Sequence, residues 1–174
     1  YWNRPGNDEA QAWIAGELES WGYTVEYHAY TYQGVAKTSV YATKVGVARP
    51  DQMYIVSAHM DSINLQTNNQ DVAPGADDDG SGTSLVLELA RVFAGDDVET
   101  ETSVRFVLWN NEETGLNGSS AYVNDRVGLQ GQENPPNSGL YPEPTWLGVI
   151  QHDMLMFDHG LPPQANQIPG ADVD

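Results

Sequence analysis

The chain has 174 residues, enough for one domain with a hydrophobic core, and its 40% hydrophobic content excludes a disordered polypeptide. Its 25 acidic and 7 basic residues give a formal net charge of −18, which makes nucleic acid and membranes poor partners and favours cations. The absence of cysteine excludes thiolate metal sites, disulfides and a cysteine nucleophile within this chain, and no apolar run approaches the ~20 residues of a membrane span.

The first part of the chain predicts a helix followed by a pair of strands. An amphipathic helix is predicted over residues 7–21, capped by Asn7 or Asp8 and ended by Gly22. Its apolar stripe consists of Ala10, Trp13, Ile14, Leu18 and Trp21. Residues 25–32 and 39–45 show the alternating pattern of strands and are rich in β-branched and aromatic side chains. This pattern predicts a hairpin around Gln33 and Gly34.

The rest of the chain alternates between predicted strands and helices. Residues 53–58, 104–109 and 147–151 are short apolar runs, typical of strands buried on both faces. Helices are predicted over 81–93 and 119–125, the first with Leu85, Leu89, Val92 and Phe93 facing inward. Residues 64–80 and 126–145 are predicted loops, and the tail from residue 160 is predicted to be irregular. This order predicts an α/β fold with a largely parallel sheet, helices on both faces, and the N-terminal strands as an antiparallel edge.

Histidine and carboxylate side chains follow each of the three predicted buried strands. His59 and Asp61 follow the first, Glu112 and Glu113 the second, and Asp153 the third. A run of aspartates at 77–79 lies just before the helix predicted at 81. Because the carboxyl ends of parallel strands meet at one edge of a sheet, these side chains are expected to lie close together.

This set of side chains suits a pair of metal ions. Histidine and carboxylates without thiolates bind zinc, and also manganese or cobalt. Two ions ~3.5–4 Å apart need a bridging carboxylate, and the glycine-flanked aspartate run is a suitable source. Of the adjacent Glu112 and Glu113, one can bind a metal while the other takes a proton from the metal-bound water.

Each of these features also has a simpler interpretation. A histidine after a strand usually packs or lies at the surface, an Asp-Asp-Asp-Gly-Ser-Gly run can be a calcium loop, a helix cap or a turn, and a glutamate pair is usually solvated. We assign His28, His152 and His159 to such roles, since Asp153 is a better ligand than its neighbour His152. The metal site is favoured because its candidate residues fall at successive strand ends.

Four motifs resemble those of peptidase family M28. Ser-Ala-His-Met-Asp-Ser at 57–62 resembles the family's His-x-Asp motif, and Pro-Gly-Ala-Asp-Asp-Asp-Gly-Ser-Gly at 74–82 resembles its bridging-aspartate loop. Asn-Glu-Glu-Thr-Gly-Leu-Asn-Gly-Ser at 111–119 is similar to Glu-Glu-x-Gly-Leu-x-Gly-Ser, and Gln-His-Asp-Met at 151–154 to the motif of a later metal-binding aspartate. The resemblance covers about residues 8–158, and four motifs in order form a specific signal.

The resemblance implies a role for each candidate residue. His59, Asp78 and Asp153 would bind one zinc ion, and Asp78 would bridge to a second zinc that Glu113 also binds. Glu112 would act as the general base. Asp61 would accept a hydrogen bond from the far side of the His59 ring and fix its tautomer. The peptide bond between Asp78 and Asp79 is expected to be cis.

The resemblance further implies a three-layer αβα sandwich with a mixed, mainly parallel sheet, the phosphorylase/hydrolase-like fold of zinc exopeptidases, formed by one catalytic domain over residues 1–174. The family's last zinc ligand is a histidine near the end of that domain, and no histidine follows His159 here. The fold is therefore expected to be incomplete at the C-terminus, inactive alone, and completed by a further segment or a neighbouring chain.

The function implied is that of a zinc aminopeptidase acting on peptides. A zinc-bound hydroxide, generated with Glu112, would attack the scissile carbonyl while zinc anchors the free amine. A secreted protein is expected by resemblance, although the first residues lack the basic flank and apolar core of a signal peptide. Three alternatives remain: a carboxypeptidase or glutaminyl cyclase of the same family, a non-catalytic binding domain, and a calcium module. His59 argues against the last, since calcium takes oxygen ligands.

Overall fold

The computed structural model describes residues 1–65, 67 and 69–156. The elements of the described chain are helix α1 (Pro5–Ser20), strands β1 (Val25–Tyr32), β2 (Val35–Lys44) and β3 (Arg49–His59), helix α2 (Gly80–Phe93), strand β4 (Thr102–Trp109), helix α3 (Asn117–Arg126), a 3₁₀ turn (Val127–Leu129) and strand β5 (Thr145–Gln151). The predicted order of strands and helices is confirmed, as is the tight turn at Gln33 and Gly34, where both residues have positive φ.

The five strands form one mixed sheet in the order β1-β2-β4-β3-β5. Strands β3, β4 and β5 are parallel, and β1 and β2 extend this part as antiparallel strands. Each parallel strand returns through a connection that contains a helix, so the carboxyl ends of β3, β4 and β5 lie at the same edge of the sheet. The predicted α/β fold with a mixed sheet is therefore confirmed.

The sheet lies between two layers of helices. Helices α1 and α2 cover one face, where Ile14, Leu18, Val86 and Ala90 pack against Val40, Val56, Phe106 and Leu108. Helix α3 covers the other face through Tyr122, which packs with Tyr41, Met53, Val107 and Trp109. Because successive side chains of a strand point to opposite faces, the fully buried β4 supplies both cores. No helix in the described part of the chain combines the length and apolar character needed to cross a membrane.

The inward faces of the first two helices differ from the predicted ones. Trp13 is 58% exposed and Val92 46% exposed, although both were predicted to face the core. Helix α1 begins at Pro5 without a side-chain cap, so the predicted capping by Asn7 or Asp8 is wrong. Asn7 is instead buried and accepts a hydrogen bond from Asn110 Nδ2 at 3.0 Å. The helix is thus anchored through a polar contact that apolar periodicity does not reveal.

Strand β5 is an edge strand in the described part of the chain. It pairs with β3 alone, and Leu147, Val149 and Ile150 are 43%, 57% and 51% exposed. The prediction that this strand is buried on both faces is therefore wrong for the described residues. Its apolar residues match an interior strand, but burial also requires neighbouring elements on each side.

A buried ion pair holds the loop between α3 and β5 against the sheet. Arg105 of β4 and Glu143 are 2% and 1% exposed, and Arg105 Nη1 lies 2.7 Å from Glu143 Oε2. Arg105 also donates to Thr43 Oγ1, the Tyr122 hydroxyl and the Pro142 carbonyl. Because nearly every polar atom of the two side chains has a hydrogen-bond partner, the pair can be buried without a large desolvation penalty. The ion pair was not predicted, since Arg105 lies within a run of otherwise mostly apolar residues.

Removing one partner of this pair should strongly destabilise the protein. Glu143→Ala leaves the Arg105 guanidinium buried without its counter-charge, which should lower the free energy of unfolding by about 3–5 kcal/mol in urea titrations. The control is Glu101→Ala, which removes the carboxylate of an exposed Arg49–Glu101 pair with a similar separation of 2.8 Å. That pair is solvated, so the control should change stability by about 1 kcal/mol or less. Equal effects of the two substitutions would contradict this prediction.

Candidate metal centre

His59 lies at the end of β3 and is 1% exposed. Its Nε2 atom lies 3.0 Å from Asp78 Oδ1, 3.8 Å from Glu112 Oε2 and 3.9 Å from Asp153 Oδ1. These carboxylates come from the loop before α2 and from the segments that follow β4 and β5. The structure therefore brings the residues predicted at three strand ends, and the aspartate loop, around one imidazole nitrogen.

Asp61 supports this imidazole in a way that differs from the expected one. The atom within hydrogen-bond distance of His59 Nδ1 is the backbone carbonyl of Asp61, at 3.0 Å. The Asp61 carboxylate lies 3.7 Å from Nδ1 and accepts a hydrogen bond from the Glu112 amide at 2.9 Å. Asp61 thus fixes the orientation of the ring through its backbone and connects it to Glu112 through its side chain.

The three aspartates before α2 have different surroundings. Asp79 caps the helix, because its Oδ1 accepts from the Gly82 amide at 2.9 Å and its Oδ2 from the His59 amide at 3.1 Å. A Cβ at position 82 would lie 2.4 Å from Asp79 Oδ1, so a larger residue there would displace the capping carboxylate. Asp77 accepts hydrogen bonds from Ser81 and from the Met156 amide. Asp78 is the member that faces His59 Nε2, and the Asp78–Asp79 peptide is cis, as the resemblance implied.

Two groups of side chains have their potential ligand atoms within 4.8 Å of one another: His59, Asp78 and Glu113, and His59, Asp79 and Asp153. The family pattern instead places Asp78 with both ions and leaves Asp79 out. Both Asp79 oxygens already accept hydrogen bonds from backbone amides, whereas Asp78 Oδ1 faces His59 Nε2. The Asp78 carboxylate is also 44% exposed, which leaves room for more than one cation contact.

Asp153 is held between two backbone anchors. The His152 amide donates to the Ser57 carbonyl at 2.8 Å, and the Leu155 amide donates to Ser81 Oγ at 3.0 Å. The side chain of His152 belongs to neither potential metal group of the described residues. His28 of β1 is buried and lies 3.0 Å from the exposed Asp125 of α3, and His159 lies outside the described residues.

The segment before the glutamate pair is fastened to the N-terminal half of the chain. Asn110 donates through Nδ2 to the side chain of Asn7 and to the Thr38 carbonyl, and its own carbonyl accepts from the Tyr30 hydroxyl at 3.0 Å. A Cβ at Gly118 would lie 2.3 Å from the Asn110 carbonyl oxygen, so the start of α3 can approach only with glycine there. Neither Asn110 nor Tyr30 was predicted to have a role here, and the one available signal was a polar residue at the end of an apolar strand.

The site carries an excess of negative charge. Among the described residues its carboxylates form ion pairs with His59 and with no lysine or arginine. Burial, followed by the neighbouring Asp78, raises the pKa of Glu113 to about 7. Burial also raises the pKa of Glu112 and Asp153. Burial lowers the pKa of His59, but Asp61 and the other carboxylates outweigh this effect, and the net result is a pKa raised to about 9. A bound cation would relieve this repulsion.

Three buried ligand-type atoms at the site have no hydrogen-bond partner among the described residues: His59 Nε2, Glu113 Oε1 and Asp61 Oδ2. The first two belong to the group formed with Asp78. Buried polar atoms are usually hydrogen-bonded, so unpaired ones at a cluster of carboxylates indicate a missing partner. A nitrogen and carboxylate donor set without thiolates fits zinc.

The comparisons with known proteins agree with this geometry. A model of peptidase family M28 matches residues 39–159, which include every residue assigned to the site. The chain belongs to peptidase family M28. A probable zinc metalloprotease of Pyricularia oryzae is 36% identical over 148 residues, which are 74% of this chain and 29% of that protein. Leucine aminopeptidase 1 of Pyrenophora tritici-repentis is 34% identical over 122 residues, covering 65% of this chain and 31% of the relative.

The α/β fold of the chain is also found among solved structures. The glutaminyl cyclase of Fimbriiglobus ruber superposes with a TM-score of 0.66 at 22% identity, covering 86% of this chain and 54% of that one. This likeness concerns the fold alone. The M28 chain spans about a third or less of the length of the two curated relatives.

Proposed function

We propose that the protein is a zinc-dependent exopeptidase that hydrolyses N-terminal residues from peptides, and that residues 1–174 lie in its single catalytic domain. The observation that carries the proposal is the placement of Asp78, Glu112 and Asp153 within 3.0–3.9 Å of one imidazole nitrogen. The named relatives, a zinc metalloprotease and a leucine aminopeptidase, support the same chemistry. Secretion stays a prediction from the family.

We assign two zinc positions to the site. His59, Asp78 and Asp153 would hold one ion, and Asp78 and Glu113 would hold the other together with a ligand outside the described residues. Zinc bound there would lower the pKa of a water molecule and polarise the scissile carbonyl. The first position has three protein ligands and the second only two, so the first should fill at lower zinc concentration.

The role of Glu112 in this proposal is to take the proton from the attacking water. Its amide is fixed by Asp61, and its carboxylate lies at the rim of the group, 27% exposed and 3.8 Å from His59 Nε2. Burial raises its pKa, which brings the carboxylate closer to the range in which a general base works at neutral pH. Glu112 would later return this proton to the leaving amine.

The charge of the site favours substrates with a free amino group over those with a free carboxylate. All seven basic residues of the chain are engaged away from the site, six in ion pairs and Lys44 with the Phe93 carbonyl. The described part of the site thus has no side-chain cation to bind a C-terminal carboxylate. A protonated N-terminus would instead be attracted to its surplus carboxylates.

The test uses the full-length protein, loaded with zinc, and three matched peptides that begin with leucine, N-acetyl-leucine or glutamine. We expect the first to lose its N-terminal residue, the second to stay intact, and chelator to stop the reaction. Mass spectrometry separates this outcome from cyclisation of the glutamine peptide, which would identify a glutaminyl cyclase. Trimming from the C-terminus would identify a carboxypeptidase, and no change in any peptide would support a non-catalytic binding domain.

A further inference from the structure

Three polar side chains join the two ends of the loop that carries Glu112 and Glu113. Thr114 Oγ1 donates to Asn111 Oδ1 at 2.5 Å, and Asn117 Nδ2 donates to Thr114 Oγ1 at 3.1 Å. We call this chain of contacts the Asn-Thr-Asn clasp. Thr114 and Asn117 occupy the two positions that the motif Glu-Glu-x-Gly-Leu-x-Gly-Ser leaves open. The general family pattern therefore does not account for them.

The backbone of the loop depends on the first residue of the clasp. Asn111 is fully buried and has a φ of +60°, a left-handed conformation that asparagine adopts more readily than most other non-glycine residues. Its carbonyl accepts from the Asn117 amide at 3.0 Å, which closes the loop. Because Glu112 follows directly, the conformation of Asn111 determines where both glutamate side chains leave the backbone.

The segment between the ends of the clasp is also restrained. The Glu112 amide donates to Asp61, and the Glu112 carbonyl accepts from the amides of Gly115 and Leu116, each at 2.8 Å. Glu113 Oε1 has no hydrogen-bond partner among the described residues, and the Glu112 carboxylate lies 3.8 Å from His59 Nε2. The direction in which both side chains leave the backbone therefore depends on the loop.

We propose that Asn111 and Thr114 are positioning residues that hold Glu112 toward the attacking water and Glu113 toward zinc. This inference rests on the proposed function but makes a separate statement about metal affinity. In protein saturated with zinc, loss of the clasp should lower kcat more than it changes KM, because the misplaced Glu112 acts in the chemical step. It should also weaken zinc binding, because Glu113 loses its fixed direction.

The first experiment compares Thr114→Val and Thr114→Ser in the full-length protein. Valine has a similar shape but cannot donate to Asn111, and serine keeps the hydroxyl. For Thr114→Val we expect kcat to fall roughly 10- to 100-fold with KM changed less than about threefold. Competition with a chromogenic chelator should show zinc affinity lowered roughly 10-fold or more. Thr114→Ser should restore both quantities to near the wild-type values.

The second experiment separates the side chain from the backbone. Asn111→Gly allows the left-handed conformation but removes the side-chain acceptor. Asn111→Ala removes the acceptor and also disfavours the left-handed conformation. Zinc affinity and kcat should therefore be lower in the alanine variant than in the glycine variant. The matched control is Asn137→Ala, since Asn137 has a φ of +64° but lies exposed in the loop before β5. This control should leave kcat and zinc affinity unchanged.

Thr114→Val with wild-type kcat and zinc affinity would overturn the proposal, and so would equal losses in the valine and serine variants. Wild-type protein without peptidase activity would instead contradict the proposed function. In that case the chelator competition still decides whether the clasp positions Glu113.

Discussion

Replacing Glu112 with glutamine is expected to lower turnover by about 10²–10⁴ while the zinc content stays at the wild-type level. Glutamine has nearly the same shape and keeps the backbone amide that donates to Asp61 Oδ1 at 2.9 Å. It cannot accept the proton of the attacking water, so the chemical step slows although the site is intact. The measurements are steady-state kcat on a leucine-initiated peptide and zinc content by atomic emission.

Two further variants show whether the effect is specific to Glu112. Glu113→Gln should lose zinc from one position, since Glu113 is assigned as a ligand, whereas Glu112→Gln should lose none. Glu19→Gln removes the charge of an exposed glutamate on α1 and should behave as wild type. A Glu112→Gln protein that loses zinc but keeps its rate per remaining site would reverse the roles of Glu112 and Glu113.

Replacing His59 with glutamine is expected to remove zinc from the site and to reduce peptidase activity to background. His59 is the only nitrogen ligand in both potential metal groups of the described residues, and its ring is 1% exposed. Without it, the carboxylates that converge on Nε2 repel one another and provide oxygen ligands alone, which hold zinc weakly. Zinc content should be measured after dialysis against a limiting zinc concentration, with activity measured in parallel.

The matched control for this variant is His152→Gln. His152 adjoins the proposed ligand Asp153, but its contact with Ser57 uses the backbone amide and survives the substitution. This variant should keep both zinc and activity. Thermal unfolding of both variants in chelator shows whether either one fails to fold. A loss of zinc in His152→Gln with retention in His59→Gln would move the ligand assignment to His152.

The chemistry of the site could be inferred largely from the sequence, because it depends on residue types at strand ends. Apolar runs mark β3 and β4, and the residues that follow them, His59, Glu112 and Glu113, meet because parallel strands end at one edge. The cis bond between Asp78 and Asp79 was likewise expected from the motif around it. The roles of these residues stay predictions until the substitutions are measured.

The contacts around the site could not be inferred in the same way. Residue patterning distinguishes neither the carbonyl of Asp61 from its carboxylate nor Asp78 from the adjacent Asp79 as the group that faces His59, and only the resemblance to the family motif singled out Asp78. Those choices depend on local backbone geometry at the level of tenths of an ångström. The Asn-Thr-Asn clasp could not be predicted either, because polar residues in a loop carry no periodic signal.

By itself, the sequence determined the order of the elements, the parallel centre of the sheet and the set of potential ligands, because each follows from local apolar patterning and residue chemistry. Tertiary structure decided which apolar residues are buried and which polar ones pair. Trp13 and Val149 are exposed although they are apolar, and Arg105 is buried although it is charged. Burial depends on what packs against a residue: Arg105 meets Glu143 from 38 residues further along the chain, and no described element covers the outer edge of β5.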